Sequence, residues 1–139
     1  MVMLIRDFSE QDMEELLDYR EESAKISFPG MKIDREKARK FFLEHIEKYP
    51  GTLKVAELDG KIAGFIRFFP EEGSFGRYGM IDLIFVDKGQ RKRGVGKLLL
   101  EDAEKWFASR GICRIEAVVT NTNLASLGFF RSSSTAPRR

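Results

Sequence analysis

Residues 78–119 constrain the fold more than any other part of the chain. YGMIDLIFV (78–86) is a strand-like apolar run. DKGQRKRGVGK (87–97) has no large apolar side chain except Val95 and leads into Leu98, Leu99, Leu100, Ala103, Trp106 and Phe107 at helical spacing. Arg110-Gly111 then closes that helix with a glycine suited to the C′ position, and ICRIEAVV (112–119) is a β-branched strand. A strand, a crossover helix and a second strand in one sheet have to lie parallel and side by side. The chain is therefore α/β with a mixed sheet.

The preceding segments supply the antiparallel part. Residues 2–8 (VMLIRDF) read as a strand, and Ser9 followed by Asp12 resembles a capping box. Met13, Leu16, Leu17, Arg20 and Ala24 keep helical spacing until Phe28-Pro29-Gly30 breaks it. Asp34 caps a second helix that Pro50-Gly51 stops. Residues 53–58 and 61–69 are strands joined at Asp59-Gly60, a type I′ hairpin signal, and Pro70-Glu-Glu-Gly73 turns the chain into the strand of 78–86.

Composition narrows the function classes. The 139 residues fit one domain. Three of the 24 bases (Arg131, Arg138, Arg139) lie in residues 131–139, leaving 21 bases against 22 acids in residues 1–130. A domain so balanced is not a general nucleic-acid or membrane-surface binder. No apolar run approaches the roughly 20 residues of a spanning helix, and the N-terminus lacks a signal-peptide layout. Cys113 is the only cysteine, so a cytoplasmic protein without disulfides is expected.

The chemistry concentrates in Arg91-Lys92-Arg93-Gly94-Val95-Gly96-Lys97, between a strand and a helix. Glycines there let a ligand approach the backbone, and the first helical N–H groups lack intrahelical acceptors. With the positive end of the helix dipole and the charges of Lys88, Arg91, Lys92, Arg93 and Lys97, the simplest occupant is a multiply charged phosphate. The Walker and dinucleotide patterns both fail, because Val95 stands where the former needs Lys and Leu99 where the latter needs Gly.

The run from Val86 to Leu100 resembles motif A of the GCN5-related N-acetyltransferases (GNAT), Arg/Gln-x-x-Gly-x-Gly/Ala after a strand ending in Val. The two-helix excursion after the first strand, the three-strand meander and the Val119-x-x-x-Asn123 spacing agree with that family over roughly residues 2–130. The resemblance implies that the backbone amides of residues 91–97 hold the acetyl-CoA pyrophosphate. It implies that Phe85 and Val86 pair with the pantetheine arm, and that Asn123 hydrogen-bonds near it. It makes Asp82, four residues before Val86, the candidate general base, with a strand-face Asp at the substrate mouth as the alternative. No metal is implied.

Two departures from the family pattern follow. Phe130 stands seven residues after Asn123, where a Tyr commonly acts as acid toward the CoA thiolate. Tyr78 and Tyr19 are the candidate substitutes, with packing or surface contact as their ordinary role. Family members also carry two more strands, for which RSSSTAPRR (131–139) has no pattern. The expected fold is therefore a GNAT-like mixed sheet flanked by helices, β-α-α-β-β-β-α-β-α, lacking the usual last two strands, with a domain at 1–130 and an atypical tail at 131–139. Three explanations stand together: a homodimer partner covers the edge of strand 112–119, the tail packs there, or the last residues are non-native.

The reading that results is an N-acetyltransferase moving an acetyl group from acetyl-CoA to a primary amine by direct attack in a ternary complex. The acceptor is a small molecule or a peptide amine. The alternative is a catalytically weak or inactive acyl-CoA-binding remnant. His45 is expected to be a packed residue and Cys113 a small hydrophobe in a buried strand. Phe28, Pro29, Met31, Phe68 and Phe69 suggest an apolar rim for the acceptor, against ordinary packing.

Overall fold

The computed structural model describes residues 2–30, 32–90 and 94–117. The elements are β1 (Met3–Asp7), α1 (Met13–Ser27), α2 (Arg35–Lys48), β2 (Leu53–Leu58), β3 (Lys61–Gly73), β4 (Gly76–Val86), α3 (Val95–Ala108) and β5 (Ile115–Ala117), with 3₁₀ turns at Glu10–Asp12 and Lys88–Gln90. They form one five-stranded sheet in the order β1-β2-β3-β4-β5. Neighbours are antiparallel except β4 and β5, which are parallel as the crossover requires. The mixed sheet with flanking helices is the expected fold class, and the helix expected after Asn123 lies outside the described residues.

Local chemistry explains the boundaries. Asp34 accepts hydrogen bonds from the N–H groups of Glu36 (3.1 Å) and Lys37 (3.2 Å), satisfying two donors at the start of α2. Asp59 (φ 52°) and Gly60 (φ 83°) take the two left-handed positions of the β2–β3 turn. Asp12 accepts from the Ser9 N–H at 2.8 Å, and its two oxygens also receive the Arg6 fork at 2.8 and 2.9 Å. The start of the first helical segment is thereby tied to β1. Ile112 N–H reaches back to the Phe107 carbonyl at 2.9 Å past Gly111 (φ 74°), a Schellman ending for α3.

The helices cover opposite faces of the sheet. On one face α3 packs Val95, Leu99, Leu100, Ala103 and Phe107 against Ile66, Phe68, Ile81, Ile84 and Val86. On the other, Met13, Leu16 and Leu17 of α1 and Phe42 of α2 pack against Leu53, Val55, Phe65 and Phe85. A Cβ at Gly79 would come within 2.7 Å of the Phe107 ring, so only glycine lets α3 sit this close to β4.

Four expectations need correction. The turn expected at 70–73 falls instead at Ser74-Phe75, because β3 runs on to Gly73 and Pro70 pairs with Gly79. Pairing with β2 ends at Arg67, so the proline lies where β3 has an open edge that tolerates a missing N–H. The strand expected from residue 112 starts at Ile115, and its expected end at 118–119 lies outside the described residues. Cys113 is exposed, because it precedes that strand while Ile112 occupies the core position under α3. Phe68 is fully buried against Trp106 and Phe107 on the α3 face, so it cannot line the same rim as Phe69 on the other side. Among the described residues, no helix is long and apolar enough to cross a membrane.

Candidate active site

The site is organised by an irregularity in β4. Arg67 pairs with Leu83 and Phe68 with Ile81, which leaves Asp82 as the extra residue of a β-bulge. Ile81 and Ile84 both face α3, so the two residues between them turn toward the α1/α2 side, where Leu83 packs with that cluster. The bulge resets the alternation and aims a carboxylate into a face that is otherwise apolar.

Asp82 meets the only arginine of β3. Arg67 Nη1 donates to Asp82 Oδ2. Its guanidinium lies 4.1 Å from the Phe41 ring centroid and 5.2 Å from that of Phe69, and only 9% of the residue is exposed. Asp82 Oδ1 has no hydrogen-bond partner among the described residues. Burial raises the pKa of Asp82 above the usual carboxylate value, with the Arg67 charge and hydrogen bond opposing, followed more weakly by Arg20. One oxygen is thus held by Arg67, while the other is itself buried and keeps its lone pairs unpaired among the described residues.

His45 is buried, as expected. The Thr52 hydroxyl donates its one proton to the Tyr49 carbonyl at 2.5 Å, so at the 2.7 Å contact with His45 Nε2 it must accept. The imidazole is therefore protonated at Nε2, while Nδ1 has no partner among the described residues. Burial, assisted by the Arg67 charge, pushes its pKa down to about 4. The ring is neutral near pH 7.

At the C-terminal end of β4, Asp87 N–H donates to the Ala63 carbonyl at 2.7 Å. By the alternation of an antiparallel ladder, the N–H and C=O of Val86 then face the opposite edge. β5 pairs with that edge only at Gly79–Ile81 among the described residues. Nearby, Gly94 (φ 82°) is the N-cap of α3, exposed, with nothing within 4 Å of the position a Cβ would take. The first intrahelical bond runs from Leu98 N–H to Gly94 O at 3.0 Å, so the N–H groups of Val95, Gly96 and Lys97 have no acceptor within the helix. No acid lies in that first turn, and Lys97 is exposed. The Val95 side chain points into the α3-face core, so only its backbone belongs to the site. These features fit a phosphate-bearing ligand.

Phe85 is buried with its ring 4.6 Å from that of Tyr19. Tyr19 donates its hydroxyl proton to the Ile62 carbonyl at 2.9 Å, and burial pushes its pKa well up, so it is a packing residue rather than a replacement acid. Tyr78 lies under the Arg114 guanidinium at 4.4 Å. Eight residues from Val86 along one strand, it is roughly 27 Å away and cannot serve there either. Arg91, Lys92, Arg93, Asn123, Phe130 and Met31 lie outside the described residues. Phe28 is exposed. The sequence reading missed Arg67 and Phe41. The signal for Arg67 was one charge inside IAGFIRFF, an otherwise apolar run.

The β4 edge and the glycine-capped start of α3 together leave unpaired backbone groups open to a phosphate-bearing ligand. The acetyltransferase (GNAT) family model matches residues 8–133, and the chain belongs to that family. It is 34% identical over 113 residues to the L-ornithine N5-acetyltransferase NATA1 of Arabidopsis thaliana, covering 78% of this chain and 42% of that protein. The chain thus spans less than half the length of that relative. It is 29% identical over 132 residues to the uncharacterized N-acetyltransferase MJ1530 of Methanocaldococcus jannaschii, covering 93% and 76% of the two chains. Among solved structures, AAC(6')-Iy in complex with the bisubstrate analog CoA-S-monomethyl-acetylneamine matches with a TM-score of 0.73 at 20% identity, covering 100% of this chain and 94% of that one. At that identity the likeness concerns the fold.

Proposed function

We propose that the protein transfers the acetyl group of acetyl-CoA to a primary amine by direct attack in a ternary complex. The observation that carries this reading is the bulge at Asp82, which puts a half-free carboxylate on the strand whose far end leads to the glycine-capped start of α3. Residues 91–97 hold the pyrophosphate through backbone N–H groups, aided by Lys97. The outward N–H and C=O of Val86, with Phe85 fixing the strand from behind, receive the pantetheine arm, and Asn123 contributes a further hydrogen bond to it.

The neutral amine nitrogen attacks the thioester carbon. A C–N bond forms, the C–S bond breaks, and the amine proton passes through water to the Asp82 carboxylate. The sulfur leaves as thiolate, tolerable for a thiol of pKa near 8.5. Oriented N–H groups stabilise the oxyanion, and much of the rate comes from holding two substrates in register. The name of the Arabidopsis relative supports a small-molecule amine acceptor.

Thermal unfolding with added acetyl-CoA tests the reading. Ligand at 100 times its Kd stabilises by about 2.7 kcal/mol, so the transition temperature rises. Gly94→Val, which forces a β-branched residue into a left-handed conformation against the ligand, should abolish the rise. No shift at millimolar acetyl-CoA in the unmodified protein would overturn the reading.

A further inference from the structure

The side of the sheet that carries Asp82 holds a second arginine that the transfer mechanism does not use. At 100° per residue, Arg20 lies on the same side of α1 as Met13, Leu16 and Leu17, all buried against the sheet. The inward stripe of α1 thus continues as a half-buried arginine where an apolar side chain would normally stand. It has no ion-pair partner among the described residues. Three acids of α1 are engaged elsewhere: Glu14, Asp18 and Glu21 hold Arg35 at 3.0, 3.1 and 3.2 Å, and Glu14 also takes Arg39 at 2.7 Å; Glu15 and Glu22 are on other sides of the helix at 100° per residue.

Arg20 is close enough to Asp82 to help keep that carboxylate ionised. The two side-chain charges acting most strongly on Asp82 are therefore both positive, and one of them, Arg67, is already committed to Asp82 and two aromatic rings. The neutral His45 adds no charge. Around Asp82 itself the two positive side chains outnumber the one carboxylate they act on. Arg20, which makes no ion pair among the described residues, offers its planar fork to a ligand carboxylate through charge-assisted hydrogen bonds.

We propose that the acceptor carries a carboxylate beside its primary amine, and that Arg20 selects it. This rests on the acetyltransferase reading for the role of the amine. An amino acid or short peptide then binds with its amine toward Asp82 and its carboxylate toward Arg20. A polycationic amine meets net positive charge and binds poorly.

Calorimetric titration in saturating CoA, at low ionic strength, tests this with matched probes. L-Lysine is compared with cadaverine, and glycylglycine with glycylglycinamide, so that only the carboxylate differs within each pair. The carboxylate-bearing member is expected to bind at least tenfold more tightly. Arg20→Gln should bring the ratio close to one by weakening that member alone, and Arg20→Lys should restore part of it. Equal binding of both members, binding of neither, or an equal loss of both in Arg20→Gln overturns the proposal. CoA release is measured in parallel: selective binding without release would remove the transferase reading while leaving the selection by Arg20 standing.

Discussion

Phe68 and Arg67 are adjacent on β3, yet they enter two different solvents. Phe68 meets Trp106 at 5.5 Å and Phe107 at 5.3 Å between ring centroids, in a dry layer completed by Leu99, Leu100 and Ala103. Arg67 enters a layer that starts with Leu16, Leu17 and Phe65 and then takes in Asp82, His45 and Arg20. One side of a sheet can carry the stability so that the other can hold buried polar groups, each an expense to the fold. Two of these groups are tied down, Arg67 by a carboxylate and two rings and His45 by Thr52, whereas Arg20 has no ion-pair partner among the described residues.

Three changes sharpen that contrast. Phe107→Ala should cost about 3–5 kcal/mol in urea unfolding, because it empties the centre of the α3 face and leaves a cavity beside Gly79. The acetyl-CoA-induced rise in transition temperature should survive wherever the variant is folded. If the loss is below 1 kcal/mol, the α3 face is not the stabilising side.

Asp82→Asn should act in the opposite way. Turnover measured by CoA release is expected to fall about 10²–10³-fold, on the order of 3–4 kcal/mol of transition-state stabilisation, with acetyl-CoA binding intact. The low-pH limb of the rate profile should disappear with it. Unchanged turnover and an unchanged profile would remove Asp82 as the base.

His45 gives the smallest effect and a direction in pH. Its pKa is depressed from 6.5 to about 4 in the folded protein, so the unfolded chain binds more protons between those values. The stability from the neutral, buried ring is complete above pH 6.5 and is lost as pH falls toward 4. The loss should be about 2 kcal/mol and should be absent in His45→Gln, when urea midpoints are compared at pH 7.5 and 4.5. An equal acid loss in both proteins would show that other groups carry it.

The crossover from β4 through α3 to β5 was legible because helical and strand periodicities differ and the strand–helix–strand order admits one handed solution. The Asp59-Gly60 turn and the Asp34 cap were legible because each is decided within a few residues. The extension of β3 through Pro70 was not, since it depends on β2 ending at Arg67 and leaving an edge open. Cys113 read as buried because it sits beside Ile112, but the start of pairing with β4, rather than composition, decides which of the two faces the core.

The sequence by itself determined the sheet class and the glycine-capped start of α3, and its resemblance to motif A made Asp82 a candidate. Periodicity, turn chemistry and helix capping are short-range and act on neighbours in the chain. Tertiary structure alone decided what Asp82 meets. The bulge that rotates it toward Arg67, the rings of Phe41 and Phe69 that hold that arginine, and the approach of Arg20 bring together residues from α1, α2, β3 and β4. Electrostatics between groups far apart in sequence exists only once packing has fixed their distance and removed the water between them.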